Sequence, residues 1–319
     1  MLPRKFGGRR LIQLWYGCHQ FNCAYIHWCR RSCCFLDELY GGTHAFATDT
    51  FNRLGIQYSF VPTSADAIKQ ATTPATKAIL IESPTNPLLN IIDIRAVAAF
   101  ARQNGIITIV DNTFATPINQ NPLSFGVDVV VHSGTKYLGG HSDLCCGVVL
   151  TSHEYSARIR ATACHLGGSV NAVTSYLLER SLKTLALRVE RQSQNALHIA
   201  EFLSDHPLIC NVNYPGLPNF RGHETAKKQM KRFGGMLSFE LDEERVEPTQ
   251  FLSRLQLIRP AVSLGGIETI ICSPAQTSHV KMSVDERKRV GISNALLRLS
   301  VGIEHVNDLI ADLEQAMSG

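Results

Sequence analysis

Three apolar segments of this chain are each followed directly by a polar loop, and this repeat constrains the fold more than any other feature. The segments are residues 77–82, 106–110 and 127–131. Each is short and rich in Ile, Val or Leu, so each is predicted to form a buried strand. In an open α/β sheet, ligands bind beyond the carboxyl ends of the strands. The three loops therefore predict one ligand site at a shared edge of a sheet.

The third loop carries a lysine in an unusual position. The pentapeptide His132-Ser133-Gly134-Thr135-Lys136 follows the last apolar segment, so Lys136 lies at the mouth of a predicted buried strand. Lysine side chains are normally exposed, and the pentapeptide alone would fit a surface lysine equally well. Partial burial lowers the pKa of a lysine, so its amine can be neutral at the working pH.

Helical patterns alternate with these strands. Further helices are predicted for residues 43–54 and 93–101, and further strands for 58–61 and 145–150. Asp93 is a suitable N-cap for the second helix, and Gly105 is a suitable stop. Its apolar positions 94, 97, 98 and 101 lie on one helical face. Strands that alternate with helices at this spacing predict parallel βαβ units and an α/β fold.

The character of the chain changes after about residue 171. Residues 175–203 are predicted to form one long amphipathic helical stretch that leaves a large domain and enters a smaller one. A strand at 234–240, a helix at 248–257 and a last helix at 306–317 are predicted to follow. The second half of the chain therefore predicts a separate C-terminal domain.

Residues 133–143 complete a specific signature, Ser-x-Thr-Lys-Tyr-x-x-Gly-His-Ser-Asp. With the two preceding loops, it resembles the trans-sulfuration family of pyridoxal-phosphate (PLP) enzymes, which includes cystathionine γ-synthase, β-lyase and γ-lyase. The resemblance covers about residues 35–319. It implies PLP fold type I (aspartate aminotransferase-like), with a mostly parallel central sheet flanked by helices and a smaller C-terminal α+β domain. It also implies three parts: an aberrant segment at 1–34, a large PLP-binding domain at 35–175, and a connecting helix with the C-terminal domain at 176–319.

The resemblance implies PLP as the cofactor and assigns residues to it. Lys136 would form a Schiff base with PLP and, once the substrate displaces it, move the substrate α-proton. Asp111 would pair with the pyridine nitrogen and keep it protonated. The other implied contacts are Ser133 and Thr135 to the phosphate, Tyr40 stacked on the ring and near the proton transfer, Asn86 at the phenolic oxygen, and Thr113 behind the ring.

The substrate side is assigned to fewer residues. Arg298 lies in an otherwise apolar segment, and its planar guanidinium suits the α-carboxylate of an amino acid. An internal salt bridge is the alternative for a buried arginine. Ser263 is expected near the same carboxylate, and Asn86 is expected to face the substrate. Val262 stands where many γ-lyases and γ-synthases have a glutamate, so lyase or synthase activity and β or γ specificity stay open.

The first 36 residues differ from the rest of the chain. They contain six basic and no acidic side chains, so the net charge of +4 leaves 4 − 6 = −2 for the remainder and gives no argument for nucleic-acid binding by the main body. Both tryptophans and five of the ten cysteines also lie there. A zinc or nucleic-acid module and a targeting peptide are two possible explanations.

A third explanation, which we favour, is an out-of-frame translation of a family sequence. Read from the second base, the codons for residues 14–19 permit a Ser-Gly-Met-Ala-Ala loop, which family members place near the cofactor phosphate. The Tyr and Arg that the family supplies to a neighbouring subunit from an N-terminal arm are not matched in this sequence either. We therefore expect weaker phosphate anchoring, and a truncated, catalytically impaired homologue is the alternative to an active enzyme.

Partners and location follow from the same features. The expected partner is a small-molecule amino-acid substrate, cystathionine or a related homoserine or cysteine derivative. A homo-oligomer, a dimer of dimers by resemblance, is expected, with no nucleic acid and no metal. No stretch of about 18 uncharged apolar residues is present, so no membrane span is expected. The cysteines after residue 36 are scattered, as is usual for reduced core thiols of cytoplasmic enzymes.

Overall fold

The computed structural model describes residues 11–16 and 32–318, apart from 278–279, 281–286 and 288–289. Within these residues the larger of two β-sheets has seven strands in the order β1-β7-β6-β5-β4-β2-β3. The strands are β1 (Leu11–Tyr16), β2 (Ser32–Leu36), β3 (Gln57–Val61), β4 (Thr76–Glu82), β5 (Ile107–Asp111), β6 (Val129–Ser133) and β7 (Cys146–Thr151). The three apolar segments are thus neighbouring strands of one sheet, as predicted, with bounds shifted by up to two residues.

Most of this sheet is parallel. Strands β3, β2, β4, β5 and β6 pair in parallel, and only β7 pairs antiparallel with its neighbours β6 and β1. The expected strand at 145–150 therefore does lie in the same sheet. Side chains on both faces are buried, as expected for a sheet covered on both sides. The mostly parallel sheet of an α/β fold is confirmed.

Helices connect the strands of the large sheet. They are α1 (Gly41–Phe46), a π-helical turn (Ala47–Phe51), α2 (Asn52–Leu54), α3 (Ala65–Ala71), α4 (Ile94–Gln103), α5 (Thr116–Asn119) and α6 (His153–Leu166), with a short 3₁₀ turn at Pro122–Phe125. In α4 the four predicted apolar positions are all buried. The Asp93 carboxylate accepts a 2.9 Å hydrogen bond from the N–H of Ala96, so the predicted N-cap is confirmed.

The second sheet has five strands in the order β10-β11-β12-β9-β8. They are β8 (Ile209–Asn213), β9 (Met236–Leu241), β10 (Arg259–Pro260), β11 (Ile270–Cys272) and β12 (Leu296–Ser300). Only β10 and β11 pair in parallel. Helices α9 (His223–Gln229), α10 (Pro248–Arg254) and α11 (Val306–Ser318) accompany it. This smaller, mainly antiparallel unit matches the expected α+β region.

The stretch at 175–203 is two helices, and the prediction of one long helix is wrong. Helix α7 (Ala172–Leu182) ends before α8 (Leu185–Ser204) begins. At the break, the carbonyl of Ser181 accepts hydrogen bonds from the Thr184 hydroxyl (3.2 Å) and from Arg188 Nη2 (3.0 Å). The N–H of Thr184 also donates to this carbonyl at 3.2 Å, whereas a continuous helix would pair the carbonyl with the backbone N–H four residues later. The bounds proposed at 175 and 176 fall inside α7.

A separate apolar cluster joins the two sheets. It contains Tyr137 and Leu138 from the loop after β6, Leu178 from α7, Leu185 and Val189 from α8, and Met236 and Leu264 from the second half of the chain. All seven side chains are buried. The loop that carries Lys136 is therefore packed between the two halves of the fold.

Most of the first 31 residues lie outside the described part of the chain, so the frame and targeting hypotheses for them are not tested. Leu11–Tyr16 pairs with β7 as an edge strand. No helix among the described residues is long and apolar enough to span a membrane. The five cysteines after residue 36 are free, but Cys145, Cys164 and Cys210 are exposed, so the expectation of core thiols is wrong for these three. Cys33 is disulfide-bonded.

Candidate active site

The carboxyl ends of β4, β5 and β6 bring the predicted polar loops together. Glu82, the last residue of β4, is the register partner of Asp111, the last residue of β5. The loop after β5 then reaches β6, because the hydroxyl of Thr113 accepts a 2.8 Å hydrogen bond from the N–H of Ser133. Sheet register and this single bond place three loop starts at one edge, as the order of strands and loops in the sequence predicted.

The lysine loop, residues 134–140, is a tight turn. Gly139 N donates to the carbonyl of Gly134 at 2.8 Å, and Gly140 N donates to the carbonyl of Lys136 at 2.7 Å. The backbone departs from helical geometry at Lys136, where φ is −92° and ψ is −130°. Lys136 is half-buried, as predicted, and its Nζ donates a 3.2 Å hydrogen bond to the hydroxyl of Ser263.

Arg188 of α8 donates hydrogen bonds to the backbone of this loop, a role that was not predicted from the sequence. Its Nη1 donates to the carbonyl of Tyr137 at 2.8 Å, and its Nη2 donates to the carbonyl of Leu138 at 3.4 Å. The side chain is buried, and burial lowers the pKa of its guanidinium. The sequence signal was present, since Arg188 stands beside Leu185 and Val189 on the apolar face of α8.

Glycine is required where the second half of the chain meets the lysine loop. Gly265 has φ +77°, a left-handed conformation, and a β-carbon at this position would lie 2.7 Å from the backbone nitrogen of Tyr137. Two residues later, Ile267 N donates a 3.0 Å hydrogen bond to the carbonyl of Gly140. The segment that carries Ser263 is therefore in backbone contact with the segment that carries Lys136.

Asp111 is a buried carboxylate. Thr113 N donates a 2.9 Å hydrogen bond to its Oδ1. Burial raises the pKa of Asp111 to about 6, and the hydrogen bonds from Thr113 oppose that rise. Among the described residues, no lysine, arginine or histidine forms an ion pair with it. A buried anion that lacks a cation is an appropriate partner for a protonated ring nitrogen.

The two hydroxyls before Lys136 have different surroundings. Ser133 and Thr135 are both half-buried. Thr135 Oγ1 donates to the carbonyl of Cys146 at 3.2 Å and accepts from the N–H of the same residue at 3.1 Å. The hydroxyl proton of Thr135 is thus directed to β7, and it would have to turn away to serve a phosphate. This bond to the neighbouring strand was not expected from the sequence.

Tyr40 lies in the loop between β2 and α1. Its side chain is 45% exposed, and its backbone N–H donates a 2.9 Å hydrogen bond to Oε2 of Glu82. Glu82 therefore links the tyrosine loop to the edge that carries Asp111. The sequence analysis did not single out Glu82, although an acidic residue that ends an apolar strand was a usable signal.

Arg298 joins the two sheets across the site. Its Nη1 donates to Oδ1 of Asn86 at 3.0 Å, and its Nη2 donates to the carbonyl of Ser263 at 3.2 Å. Arg298 and Asn86 are both buried, and Nε of Arg298 has no hydrogen-bond partner in the described part of the chain. No carboxylate pairs with this arginine there, so the alternative of an internal salt bridge is not seen. Its charge is therefore not neutralised by a carboxylate in the described part of the chain.

The residues present fit PLP. A half-buried lysine, a buried carboxylate without an ion-pair partner among the described residues and an exposed tyrosine are the groups expected from Lys136, Asp111 and Tyr40. The guanidinium of Arg298, which has no carboxylate partner among the described residues, has the charge and planar shape that suit the carboxylate of an amino acid. The weakest part of the fit is the phosphate, because the Thr135 hydroxyl is already bonded to β7.

The chain is similar to known proteins over most of its length. Residues 31–318 match the family described as "Cys/Met metabolism PLP-dependent enzyme". Over 284 residues the chain is 47% identical to the cystathionine gamma-lyase of Bacillus subtilis. The alignment covers 88% of this chain and 74% of the relative. It is 44% identical over 283 residues to a cystathionine beta-lyase of Lactococcus lactis, with 88% and 74% covered.

A solved structure gives the same result for the fold. Cystathionine gamma-lyase from Lactobacillus plantarum, complexed with L-serine, superposes with a TM-score of 0.93 at 38% identity. The match covers 96% of this chain and 81% of the other. The match to the family begins four residues before the in-frame start expected near Phe35.

Proposed function

The chain belongs to the Cys/Met metabolism family of PLP-dependent enzymes, and from that premise we propose that it is a carbon–sulfur lyase that cleaves cystathionine or a related homoserine or cysteine derivative. The observation that carries the proposal is a shared contact. Lys136 Nζ donates to the hydroxyl of Ser263, and Arg298 Nη2 donates to the carbonyl of the same residue. An amine and a guanidinium cation therefore both contact one serine.

This arrangement suits an α-amino acid. The planar guanidinium of Arg298 would bind the α-carboxylate, and the loss of water around this buried cation strengthens that interaction. Asn86 would hold the guanidinium in place through its Oδ1. With the carboxylate fixed, the α-carbon of the substrate would lie on the Lys136 side of Ser263, where the amine would accept the α-proton.

The cofactor would be held by residues of the large sheet. Asp111 would face the ring nitrogen, Tyr40 would cover the ring, and Ser133 and Thr135 would bind the phosphate, with Thr113 and Asn86 beside the ring. When bound, PLP supplies an electron sink for the charge that develops at the α-carbon. Thr113 would keep Asp111 oriented by the 2.9 Å bond from its N–H, and Asp111 would stay ionised opposite a cation.

Proton movement is assigned to two side chains. Lys136 would take the α-proton and return it, because its half-buried amine is the basic group that contacts Ser263. The phenol of Tyr40, on a loop anchored to Glu82, would be the second proton-transfer group near the departing sulfur. Cleavage on the γ-carbon side of the cystathionine sulfur would release cysteine, and cleavage on the β-carbon side would release homocysteine.

Assembly and location are part of the same proposal. A homo-oligomer is supported by the family resemblance and by exposed apolar side chains on α6, α7 and α8, namely Leu166, Val173, Tyr176 and Leu187. A cytoplasmic location is supported by six free cysteines, although Cys33 is disulfide-bonded. Light scattering of the purified chain would test the first statement, and cell fractionation would test the second.

The first experiment is a visible absorption spectrum of the purified chain with added PLP. We expect a band that borohydride reduction abolishes, and we expect it to be absent from Lys136→Ala. Cystathionine turnover, followed by thiol release and identification of the thiol, then tests the lyase assignment. A lysine-dependent band without turnover would support the impaired homologue. The absence of any band from folded protein would contradict the proposal.

A further inference from the structure

Two carboxyl groups share the buried edge of β4 and β5. Glu82 and Asp111 are register partners on adjacent parallel strands, and they are only 5% and 8% exposed. Both residues end their strands, so the two carboxyl groups are carried by neighbouring strands whose backbones lie about 4.8 Å apart. Two carboxylates so close in a medium of low dielectric constant do not both ionise readily. One of the two is expected to hold a proton.

The surrounding groups decide which one. Asp111 receives hydrogen bonds from Thr113, which favour its ionised form. Burial raises the pKa of Glu82 well above its ordinary value, and the charges of Asp111 and Glu38 add to that rise. The backbone N–H groups of Tyr40 and Asn86 act in the opposite direction. Among the described residues no basic side chain forms an ion pair with Glu82.

We propose that Glu82 is a positioning residue of the cofactor site: it anchors the backbone of Tyr40 and holds the proton of the buried pair, so that Asp111 alone carries a negative charge. The role of the Glu82–Asp111 pair in the reaction rests on the proposed function, since the single negative charge of Asp111 would face the ring nitrogen of PLP. A second buried charge would leave the site with one more anion than the cofactor can neutralise. Glu82 acts on the reaction through Asp111 and Tyr40.

The protonation state is testable without the cofactor. Infrared spectra of cofactor-free wild type and Glu82→Gln at neutral pH are compared for the carbonyl stretch of a protonated carboxylic acid. We expect that band in the wild type and a loss of it in the variant. An unchanged spectrum would show that Glu82 is ionised and would overturn the proposal.

Two variants separate the proton from the anchor. Glu82→Gln keeps a neutral group and an oxygen that accepts from Tyr40 N, so we expect its dissociation constant for PLP to stay within about threefold of the wild type. Glu82→Leu removes the acceptor, and we expect about tenfold weaker binding. Equal losses in both variants would mean that a charged Glu82 is needed, and no loss in Glu82→Leu would remove the anchoring role.

Failure of the proposal is distinguishable from failure of the proposed function. Wild-type protein that shows the infrared band but no borohydride-sensitive absorption with PLP would contradict the lyase proposal and the purpose of the pair, while the proton would still be assigned to Glu82. Wild-type protein that binds PLP without the infrared band would contradict the Glu82 proposal alone. The Asp111→Asn variant adds a check, because it should lose PLP binding and should shift the titration of the Glu82 band to lower pH, since the charge of Asp111 raises the pKa of Glu82.

Discussion

The side chains of Arg298 and Asn86 share a 3.0 Å hydrogen bond although they are 212 residues apart in the chain. Arg298 lies on β12 of the small sheet, and Asn86 lies in the loop after β4 of the large sheet. The site is therefore built from both halves of the fold. A buried cation held by an amide and a carbonyl, with no carboxylate beside it in the described part of the chain, leaves charge that an incoming anion can neutralise.

We predict that Arg298→Lys weakens substrate binding more than it weakens cofactor binding. Lysine retains the charge but cannot contact Asn86, Ser263 and a carboxylate with one planar group. The loss of a charge-assisted contact of this kind costs about 3 kcal/mol, or about 100-fold in kcat/KM. Steady-state kinetics with cystathionine, beside a PLP titration, measure both effects. An unchanged KM, or an equal loss of PLP affinity, would contradict the assignment.

We predict that Arg188→Met destabilises the folded chain through the lysine loop. The guanidinium of Arg188 donates to the carbonyl of Tyr137, and the loss of this donor leaves a buried acceptor in the lysine loop without its side-chain partner. Urea unfolding should show a fall of about 3 kcal/mol or more in the free energy of unfolding. Arg191 is the matched control, because it is exposed on the same helix. Arg191→Met should change stability by less than about 0.5 kcal/mol.

Much of the fold could be predicted because its strands are short apolar runs between polar loops. Strands β4, β5 and β6 lie within two residues of the predicted segments, and the cap at Asp93 was found from its residue type and position. The break between α7 and α8 could not be found in this way. The residues around it are compatible with a helix, and the break is marked by hydrogen bonds of turn type, in which the N–H groups of Lys183 and Thr184 donate to the carbonyls of Arg180 and Ser181, three residues earlier.

The site was predicted through a motif more than through physical pattern. Lys136 and Arg298 both contact Ser263, and Asp111 ends β5, the strand beside β6, but their roles at the site stay a prediction. The pairing of Glu82 with Asp111 depends on strand register, which the sequence does not state. The double hydrogen bond between Thr135 and Cys146 likewise depends on the antiparallel pairing of β6 with β7.

We predict that the cofactor-free chain loses stability as the pH rises through the range in which Asp111 titrates. Its pKa is raised to about 6 in the folded state from an ordinary value of 3.8, so the unfolded chain releases this proton first. The free energy of unfolding should therefore be highest below pH 4 with respect to this group and fall by about 3 kcal/mol in total, most of it by pH 6 and the rest above that pH. Glu82, whose pKa is also raised, extends the fall to higher pH.

Urea unfolding at a series of pH values, for wild type and Asp111→Asn, measures this dependence. The variant has no titrating group at that position, so the difference in unfolding free energy between the two proteins should change with pH by the amount that Asp111 contributes. Addition of PLP should remove most of the effect in the wild type, because a cation beside Asp111 lowers its pKa. Parallel curves for the two cofactor-free proteins would contradict the burial argument.

Two glycines provide a matched test of the contact between the two halves of the site. Gly265 and Gly55 have similar left-handed φ values, +77° and +66°, so a side chain is strained at either position. At Gly55 a β-carbon would meet no atom within 4 Å, whereas at Gly265 it would press on the backbone of Tyr137. We predict that Gly55→Ala costs about 1 kcal/mol of stability and leaves turnover unchanged.

Gly265→Ala should cost about 3 kcal/mol, because a backbone atom of the lysine loop must move in addition to the conformational strain. That movement separates Ser263 from Lys136, so kcat should fall by about tenfold or more even under conditions in which the variant is fully folded. Thermal unfolding, PLP absorption and cystathionine turnover of the two variants, measured side by side, test this. Equal effects on turnover would show that the contact between Gly265 and Tyr137 has no part in positioning Lys136. A loss of turnover in Gly265→Ala alone would show that the segment before β11 helps to position the amine of Lys136.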